Sequence, residues 1–275
     1  MNCRGKSISF GGITHIMGVL NVTPDSFSDG GDYLEVNTAI AHAKTMVAEG
    51  ATIIDIGGES SRPGAEPVSA EVELHRVLPV IRALNSEQLD VLLSIDTTKA
   101  VVAQQALEAG AHIINDITAL RGDAAMAHVA TEMEAGVILM HMKGTPRTMQ
   151  QSPQYKNVVE EIYEALESWI NDATQNGIDP NRIIVDPGIG FGKTIKQNLQ
   201  ILKHLDVFKQ LNKPILIGTS RKSFIGNLLD LPVTERVEGS IATVCWAIAH
   251  GADIVRVHDV KATVRAARMI DTLYR

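Results

Sequence analysis

Eight short runs of Ile, Val and Leu, separated by stretches of helical periodicity, constrain the fold of this chain more than any other feature. The runs cover residues 13–21, 52–56, 91–95, 112–115, 137–141, 183–186, 215–218 and 254–257. They are nearly continuous in apolar character and do not strictly alternate, the pattern of parallel strands covered on both faces. Between them, residues 39–49, 99–108 and 158–175 repeat apolar side chains at helical spacing, and Gly50, Gly110 and Gly177 follow as helix stops. Toward the end, 235–249 and 262–273 read as helices with apolar faces. Eight strand–helix alternations in a chain of this size predict the α/β class and a (β/α)8 barrel, the TIM barrel. A doubly wound open sheet is the rival, but it gathers its ligand groups at one switch point. Here polar groups follow nearly every run, and no linker divides the chain, so one domain is expected over residues 1–275.

Composition narrows the partners. The chain is 45% hydrophobic and 21% charged, as folded domains are, with a formal net charge of −7. Without a basic excess there is nothing to neutralise a nucleic-acid backbone, although a few placed Arg and Lys can still hold a small anion. No apolar run approaches the roughly 20 residues that cross a bilayer, and residues 1–10 lack a signal-peptide core. Cys3 and Cys245 build neither a disulfide framework nor a metal cluster. The expectation is a cytoplasmic protein with no membrane or nucleic-acid partner.

In a barrel the C-terminal strand ends converge on one mouth, where chemistry occurs. Those ends read Asn21, Asp55 with Gly57 and Gly58, Asp96, Asn115, His141, Asp186, Ser220-Arg221-Lys222, and Arg256 with His258. One such residue is ordinarily a turn former or helix cap. A polar group at nearly every strand end reads as a site. Asp96, Asn115 and Asp186 offer two carboxylates and an amide, which suit the N–H and C=O edges of a flat heterocycle. Lys222 can donate to a ring carbonyl or nitrogen. A second set, Asn21, Arg62, Arg256 and His258, is expected on a separate anion side, since the first and eighth strands become neighbours when the barrel closes. Arg presents a planar fork to phosphate oxygens, His donates one more bond, and an Asn oxygen suits a hydrated Mg2+. Residue types alone do not choose between one phosphate and two. The loops 23–31 and 57–64, rich in Gly and small polar residues, read as lids over the mouth.

Two motifs are set aside. Residues 187–194 miss the phosphate-binding P-loop because Pro187 stands at its first Gly, and their glycines miss the dinucleotide spacing. His15, His112 and His141 have no metal-ligand spacing with a Cys or acidic cluster. No zinc, NAD or ATP site is expected.

The ordered motifs Asn21-Val22-Thr23-Pro24-Asp25-Ser26-Phe27-Ser28-Asp29-Gly30-Gly31 and Asp55-Ile56-Gly57-Gly58-Glu59-Ser60-Ser61-Arg62-Pro63-Gly64 resemble the two signatures of the dihydropteroate synthase family. Ser94-Ile95-Asp96-Thr97, Asn115-Asp116, the 186–193 segment, Ser220-Arg221-Lys222 and Arg256-Val257-His258 complete the resemblance in order through nearly the whole chain. One departure is Ser61, where the second signature usually carries Thr; Ser keeps the hydroxyl and lacks the methyl group. The resemblance implies a folate-pathway transferase, with dihydropterin-methyl diphosphate and 4-aminobenzoate as substrates and dihydropteroate and diphosphate as products. It assigns Asp96, Asn115, Asp186 and Lys222 to the pterin. Asn21, Ser61, Arg62, Arg256 and His258 go to the diphosphate with Mg2+, Asn21 being the metal ligand. Pro63, Phe191, Lys222 and Ser223 go to 4-aminobenzoate. Catalytic roles fall on Asp96, Lys222, Arg256 and His258. It also implies a cytoplasmic homodimer and a sulfonamide target. Two alternatives share the pterin reading: a folate-dependent methyltransferase barrel, which needs neither signature loop, and a pterin-binding protein without catalysis.

Overall fold

The computed structural model describes residues 1–22, 32–61 and 64–275. After a two-stranded N-terminal hairpin, β1 (Asn2–Cys3) and β2 (Lys6–Ser7), the chain alternates strand and helix. The barrel strands are β3 (His15–Asn21), β4 (Ile53–Gly57), β5 (Leu92–Asp96), β6 (Ile113–Asp116), β7 (Gly136–Met140), β8 (Ile183–Asp186), β9 (Leu216–Ile217) and β10 (Ile254–Val257). The helices are α1 (Asp32–Ala48), α2 (Ala70–Ser86), α3 (Ala100–Glu108), α4 (Met126–Glu132), α5 (Val158–Gln175), α6 (Ile195–Lys203), α7 (Ser223–Leu229), α8 (Val237–Ala249) and α9 (Val260–Tyr274).

All eight barrel strands are parallel, in the order β8-β7-β6-β5-β4-β3-β10-β9. A parallel bridge between Val185 and Ile215 joins the two ends, so the sheet closes on itself. The side-chain period of two then decides what each residue faces. Ile54, Ile56, Leu93, Ile95, Ile114, Leu139, Val185, Ile217 and Val255 point outward into the layer shared with the helices. Their neighbours Met17, Ile53, Leu92, Ile113, Ile138, Ile184, Leu216 and Ile254 point inward and form a separate apolar cluster with Ile8.

That inner cluster is the barrel floor. The N-terminal hairpin closes it from below, and its two basic side chains anchor it to backbone at the bottom of the barrel. Arg4 donates to Leu107 O and Met133 O, and Lys6 donates to Leu89 O and Val91 O. These are carbonyls at helix ends and strand starts, where the regular backbone bonding runs out. The hairpin has no counterpart among the expected elements, because strands of two residues carry no readable period.

Most expected boundaries shift by a residue or two. The first strand begins at His15, not at 13, because Thr14 is drawn to α9: its N–H and hydroxyl donate to Asp271 at 2.8 and 2.6 Å. The helix expected over 235–249 is broken by Arg236 into a 3-10 turn, Val233–Glu235, and α8.

Candidate active site

Two residues above the apolar floor, the same inward face turns polar. Asp55, Ser94, Asn115, Asp186 and Arg256 take the positions one pleat above Ile53, Leu92, Ile113, Ile184 and Ile254. Asn21 and Asp96 end their strands on the same parity above Val19 and Ser94, and His258 follows Arg256. A ring of strand ends thus gathers the groups that the sequence scatters over more than 200 residues.

At the centre is a buried chain of charge. Asp55 is fully buried; its Oδ2 accepts from Arg256 Nε at 2.6 Å and from Asn115 Nδ2 at 3.0 Å. Arg256 Nη2 donates onward to Asp96 Oδ2 at 2.9 Å. Burial pushes Asp96 up to about 7, with the nearby Asp55 carboxylate adding to the rise and Arg256 opposing it. Burial also raises Asp186, whose Oδ1 accepts from Gly188 N at 2.7 Å. Two atoms facing this level, Asp55 Oδ1 and Ser94 Oγ, are buried with no partner among the described residues. Buried acceptors are ordinarily satisfied, so these point to a polar ligand in the barrel.

Lys222 stands between α7 and the loop after β8. Its Nζ donates to Ile189 O and lies 4.4 Å from the centre of the Phe191 ring. Burial lowers Lys222 to about 8, with Asp186 opposing and Arg256 adding to the fall. Ser223, the first residue of α7, is exposed. On the other side, Ser220 Oγ accepts from His258 N–H at 3.1 Å and lies 3.0 Å from His258 Nδ1. With the Ser220 hydroxyl donating to Nδ1 the ring proton sits on Nε2, and with the hydroxyl accepting it sits on Nδ1. Arg221 turns away from the mouth onto Asp259, pairing at 2.5 and 2.9 Å, and ties together the loops after β9 and β10.

Asn21 and Asp96 flank Gly57. A Cβ there would lie 3.6 Å from Asp96 Cβ and 3.8 Å from Asn21 Oδ1, ordinary van der Waals contact, so both side chains border this position. Gly57 and its neighbours after β4 are held from behind: Lys99 donates to Glu59 and, at 2.6 Å, to the fully buried Glu73, while Arg76 donates to Gly58 O at 2.7 Å. Ser61 is half-buried at the edge of the described chain. Arg62, Pro63 and the 23–31 loop lie outside the described residues.

Arg256 links the expected heterocycle side to the expected anion side. Two buried carboxylates draw its guanidinium to the barrel axis, because a buried carboxylate without a cation is costly. The expected heterocycle residue Asp96 and the expected anion residue Arg256 are therefore ion-paired. Asp55, Ser94 and Lys193 also bear on the site, although the sequence motifs give none of them a ligand role. For the first two a signal existed: each is a polar residue at an inward position of an otherwise apolar strand. Lys193 sits in the segment dismissed as a failed P-loop, and it proves to be buried beside His141.

Comparison with known proteins agrees with this geometry. Residues 17–258 match the pterin binding enzyme family. A dihydropteroate synthase from Synechocystis is 51% identical over 263 residues, 95% of this chain and 91% of that protein. The crystal structure of a Clostridium difficile dihydropteroate synthase in the presence of pteroic acid superposes with a TM-score of 0.92 at 48% identity, covering 98% of this chain and 100% of that one. A Xanthomonas albilineans dihydropteroate synthase in complex with 7,8-dihydropteroate superposes with a TM-score of 0.86 at 41% identity, covering 95% and 94%. A polar barrel mouth, the ordered motifs and near-full-length identity converge, and the chain belongs to the dihydropteroate synthase family of pterin binding enzymes.

Proposed function

We propose that the chain condenses a dihydropterin-methyl diphosphate with 4-aminobenzoate, giving 7,8-dihydropteroate and diphosphate. The observation that carries this reading is the buried Asn115–Asp55–Arg256–Asp96 chain, with unpartnered Asp55 Oδ1 and Ser94 Oγ beside it. A flat ring with several N–H donors and a carbonyl supplies what these acceptors lack. Pteroic acid, present with the Clostridium difficile enzyme, and 7,8-dihydropteroate, in complex with the Xanthomonas albilineans one, carry such a ring.

In this reading Asp96, Asn115 and Asp186 hold the pterin edge, and Lys222 reaches both the ring and the carboxylate of 4-aminobenzoate. Phe191, Pro63 and Ser223 bound the second pocket. Asn21, Ser61, Arg62, Arg256 and His258 face the diphosphate. The methylene carbon is conjugated to an electron-rich ring, so diphosphate departs ahead of attack and leaves a delocalised cation. The Asp96 carboxylate stabilises that cation, and His258 and the arginines neutralise the leaving charge. The aniline nitrogen attacks as a free amine and needs no strong base. The amide oxygen of Asn21, which like the Asp96 carboxylate borders Gly57, is the hard oxygen donor that would hold Mg2+. Among the described residues no cluster of three or more His, Cys, Asp or Glu could hold an ion unaided, so the metal would arrive with its diphosphate. When bound, Mg2+ neutralises diphosphate oxygens.

Supplying dihydropterin-methyl diphosphate, Mg2+ and 4-aminobenzoate tests the reading. Stoichiometric diphosphate and dihydropteroate are expected; no product would defeat it, and methyl transfer from a folate would favour the methyltransferase alternative. In single turnover, a diphosphate-release rate that plateaus with 4-aminobenzoate supports departure before attack, whereas a linear rise opposes it.

The reading extends to a homodimer in the cytoplasm. Leu229, Val233, Trp246, Met269 and Leu273 expose large apolar surface on the last third of the chain. Cys3 and Cys245 are unpaired thiols, and no helix among the described residues is long and apolar enough to cross a membrane. Sedimentation of a 29.7 kDa particle at micromolar concentration would overturn the dimer.

A further inference from the structure

The loop between β8 and α6 is built without ladder or helix bonds of its own. Gly188, Gly190 and Gly192 adopt φ of 70°, 86° and 66°, the left-handed region, and between them they turn successive carbonyls in different directions. Side chains answer those carbonyls one after another. Lys193 donates to Gly188 O at 2.8 Å and to Phe191 O at 2.9 Å, Lys222 to Ile189 O, Gln150 Nε2 to Gly190 O at 2.7 Å, and Tyr155 Oη to Gly192 O at 3.0 Å. The loop also lies hard against the end of β7: a Cβ on Gly188 would fall 1.9 Å from His141 O.

Lys193 joins these parts. It is only 2% exposed, and besides the two loop carbonyls its Nζ reaches His141 O at 3.0 Å and His141 Nδ1 at 3.1 Å. The three carbonyl oxygens only accept, so the three ammonium protons have three carbonyls to meet, with the imidazole nitrogen as a further acceptor. The His141 ring stacks on Trp169, centroids 5.6 Å apart, and Trp169 in turn carries the Arg121 guanidinium at 4.0 Å. A buried amine at that junction is a costly way to fill space. An apolar side chain would fill it as well but would take the donor from Phe191 O and leave Gly188 O with only the Phe191 N–H at 3.1 Å.

We propose that Lys193 is a positioning residue for the condensation: it clamps the Gly188 and Phe191 carbonyls to the end of β7 and so sets the Phe191 ring and the Ile189 carbonyl against Lys222 Nζ. The inference rests on the functional reading above, in which Phe191 and Lys222 bound the 4-aminobenzoate pocket. Asn115, Asp55 and Asp96 lie on other strands and keep their own hydrogen bonds when the clamp is removed, so the pterin edge is affected only through Asp186, whose Oδ1 accepts from Gly188 N, and through Lys222.

The test is Lys193→Met, which keeps an unbranched chain and removes every donor. KM for 4-aminobenzoate should rise roughly 10–100-fold, the scale on which a displacement of about 1 Å at a reacting geometry acts. The affinity for a bare pterin should fall clearly less than that for 4-aminobenzoate, because Asp55, Asp96 and Asn115 stay in place. In a Trp246→Phe background, where Trp169 is the remaining tryptophan, 4-aminobenzoate binding should change the fluorescence, and Lys193→Met should abolish that change. Lys193→Gln, which retains two N–H donors at shorter reach, should fall between the two; it carries the same measurement if Lys193→Met does not fold. An unchanged KM for 4-aminobenzoate overturns the proposal. So does an equal loss of affinity for both ligands, which would make Lys193 a general support of the fold. Failure of the unmodified chain to form dihydropteroate would instead strike the functional reading, leaving the two defeats distinct.

Discussion

The floor and the mouth of the barrel are built on the same inward face of the same strands, one or two pleats apart, and they are opposite in kind. At the floor, Met17, Ile53, Leu92, Ile113, Ile138, Ile184, Leu216 and Ile254 pack into an apolar plug closed by Ile8. One step up, Asp55, Ser94, Asn115 and Asp186, all buried, and the half-buried Arg256 put charge and unpartnered acceptors on the same face. The floor lowers the free energy of the fold by removing apolar surface from water. The mouth carries desolvated charge whose pairing only partly offsets its cost, which is sensible where a polar ligand completes the pairing. Position along a strand, within about 7 Å, therefore separates stability from chemistry.

The largest expected effect is at the floor. Ile53→Ala should cost about 2–5 kcal/mol of stability, read from denaturant unfolding, because the fully buried side chain leaves a cavity among packed neighbours. Turnover per folded molecule should not change. A variant of ordinary stability but low turnover would erase the distinction between the two layers. Asp96→Asn should do the reverse, reducing turnover on the order of 10²–10³-fold while the protein stays folded, since a neutral amide cannot offset a cation. Normal turnover would remove Asp96 from the mechanism. In the unmodified enzyme kcat/KM should fall as pH drops below about 7, where Asp96 takes up its proton.

The same contrast governs what the sequence discloses. Parallel strands buried on both faces announce themselves as apolar runs, so the barrel is legible before any coordinates. The floor follows from it, except for its plug: β1 and β2 are two residues each, and only Ile8 and Phe10 hint that residues 1–10 are tied down. Strand ends are legible as a ring of polar residues, yet not which of them touch. Arg256 has the reach to face a diphosphate or a carboxylate, and only the register that places it beside Asp55 and Asp96 decides. Asp55 and Ser94 show in the sequence as polar residues in apolar strands, but the partners that give them weight lie on other strands and are not written there. Lys193 is hidden because its partners are backbone carbonyls, which every residue possesses and no motif records.

A smaller effect separates two parts of the mouth itself. Lys222 bridges them, with Nζ on Ile189 O over the Phe191 ring and Asp186 close enough to hold up its charge. Lys222→Ala should weaken binding of both the pterin and 4-aminobenzoate, each by roughly 10-fold, the loss expected of one charge-assisted hydrogen bond. Calorimetry with each ligand alone checks it. Unchanged affinity for both would contradict the placement, and loss for one alone would assign Lys222 to that side.

The pH dependence of stability gives the most direct contrast between floor and mouth, because one titrating group from each should drive stability in opposite directions over the same pH range. Asp96 in the mouth is held at about 7 against an ordinary 3.8, so between those values the native protein binds more protons than the unfolded chain. Raising the pH through that window costs stability. His112, beneath the barrel, accepts from Leu93 N–H through Nδ1 at 3.1 Å, and burial, with Lys6 and Arg4 nearby, lowers it to about 4 from 6.5. There the unfolded chain binds more protons, and raising the pH from about 4 to 6.5 restores stability. Single variants isolate each contribution. His112→Asn keeps an acceptor for Leu93 N–H and removes the titration, so the unmodified protein should gain in Tm relative to it as pH rises from about 4 to 6.5. Relative to Asp96→Asn the unmodified protein should lose in Tm as pH rises from about 4 to 7. Parallel slopes for the two differences would mean that buried charge is treated alike at both ends of the barrel.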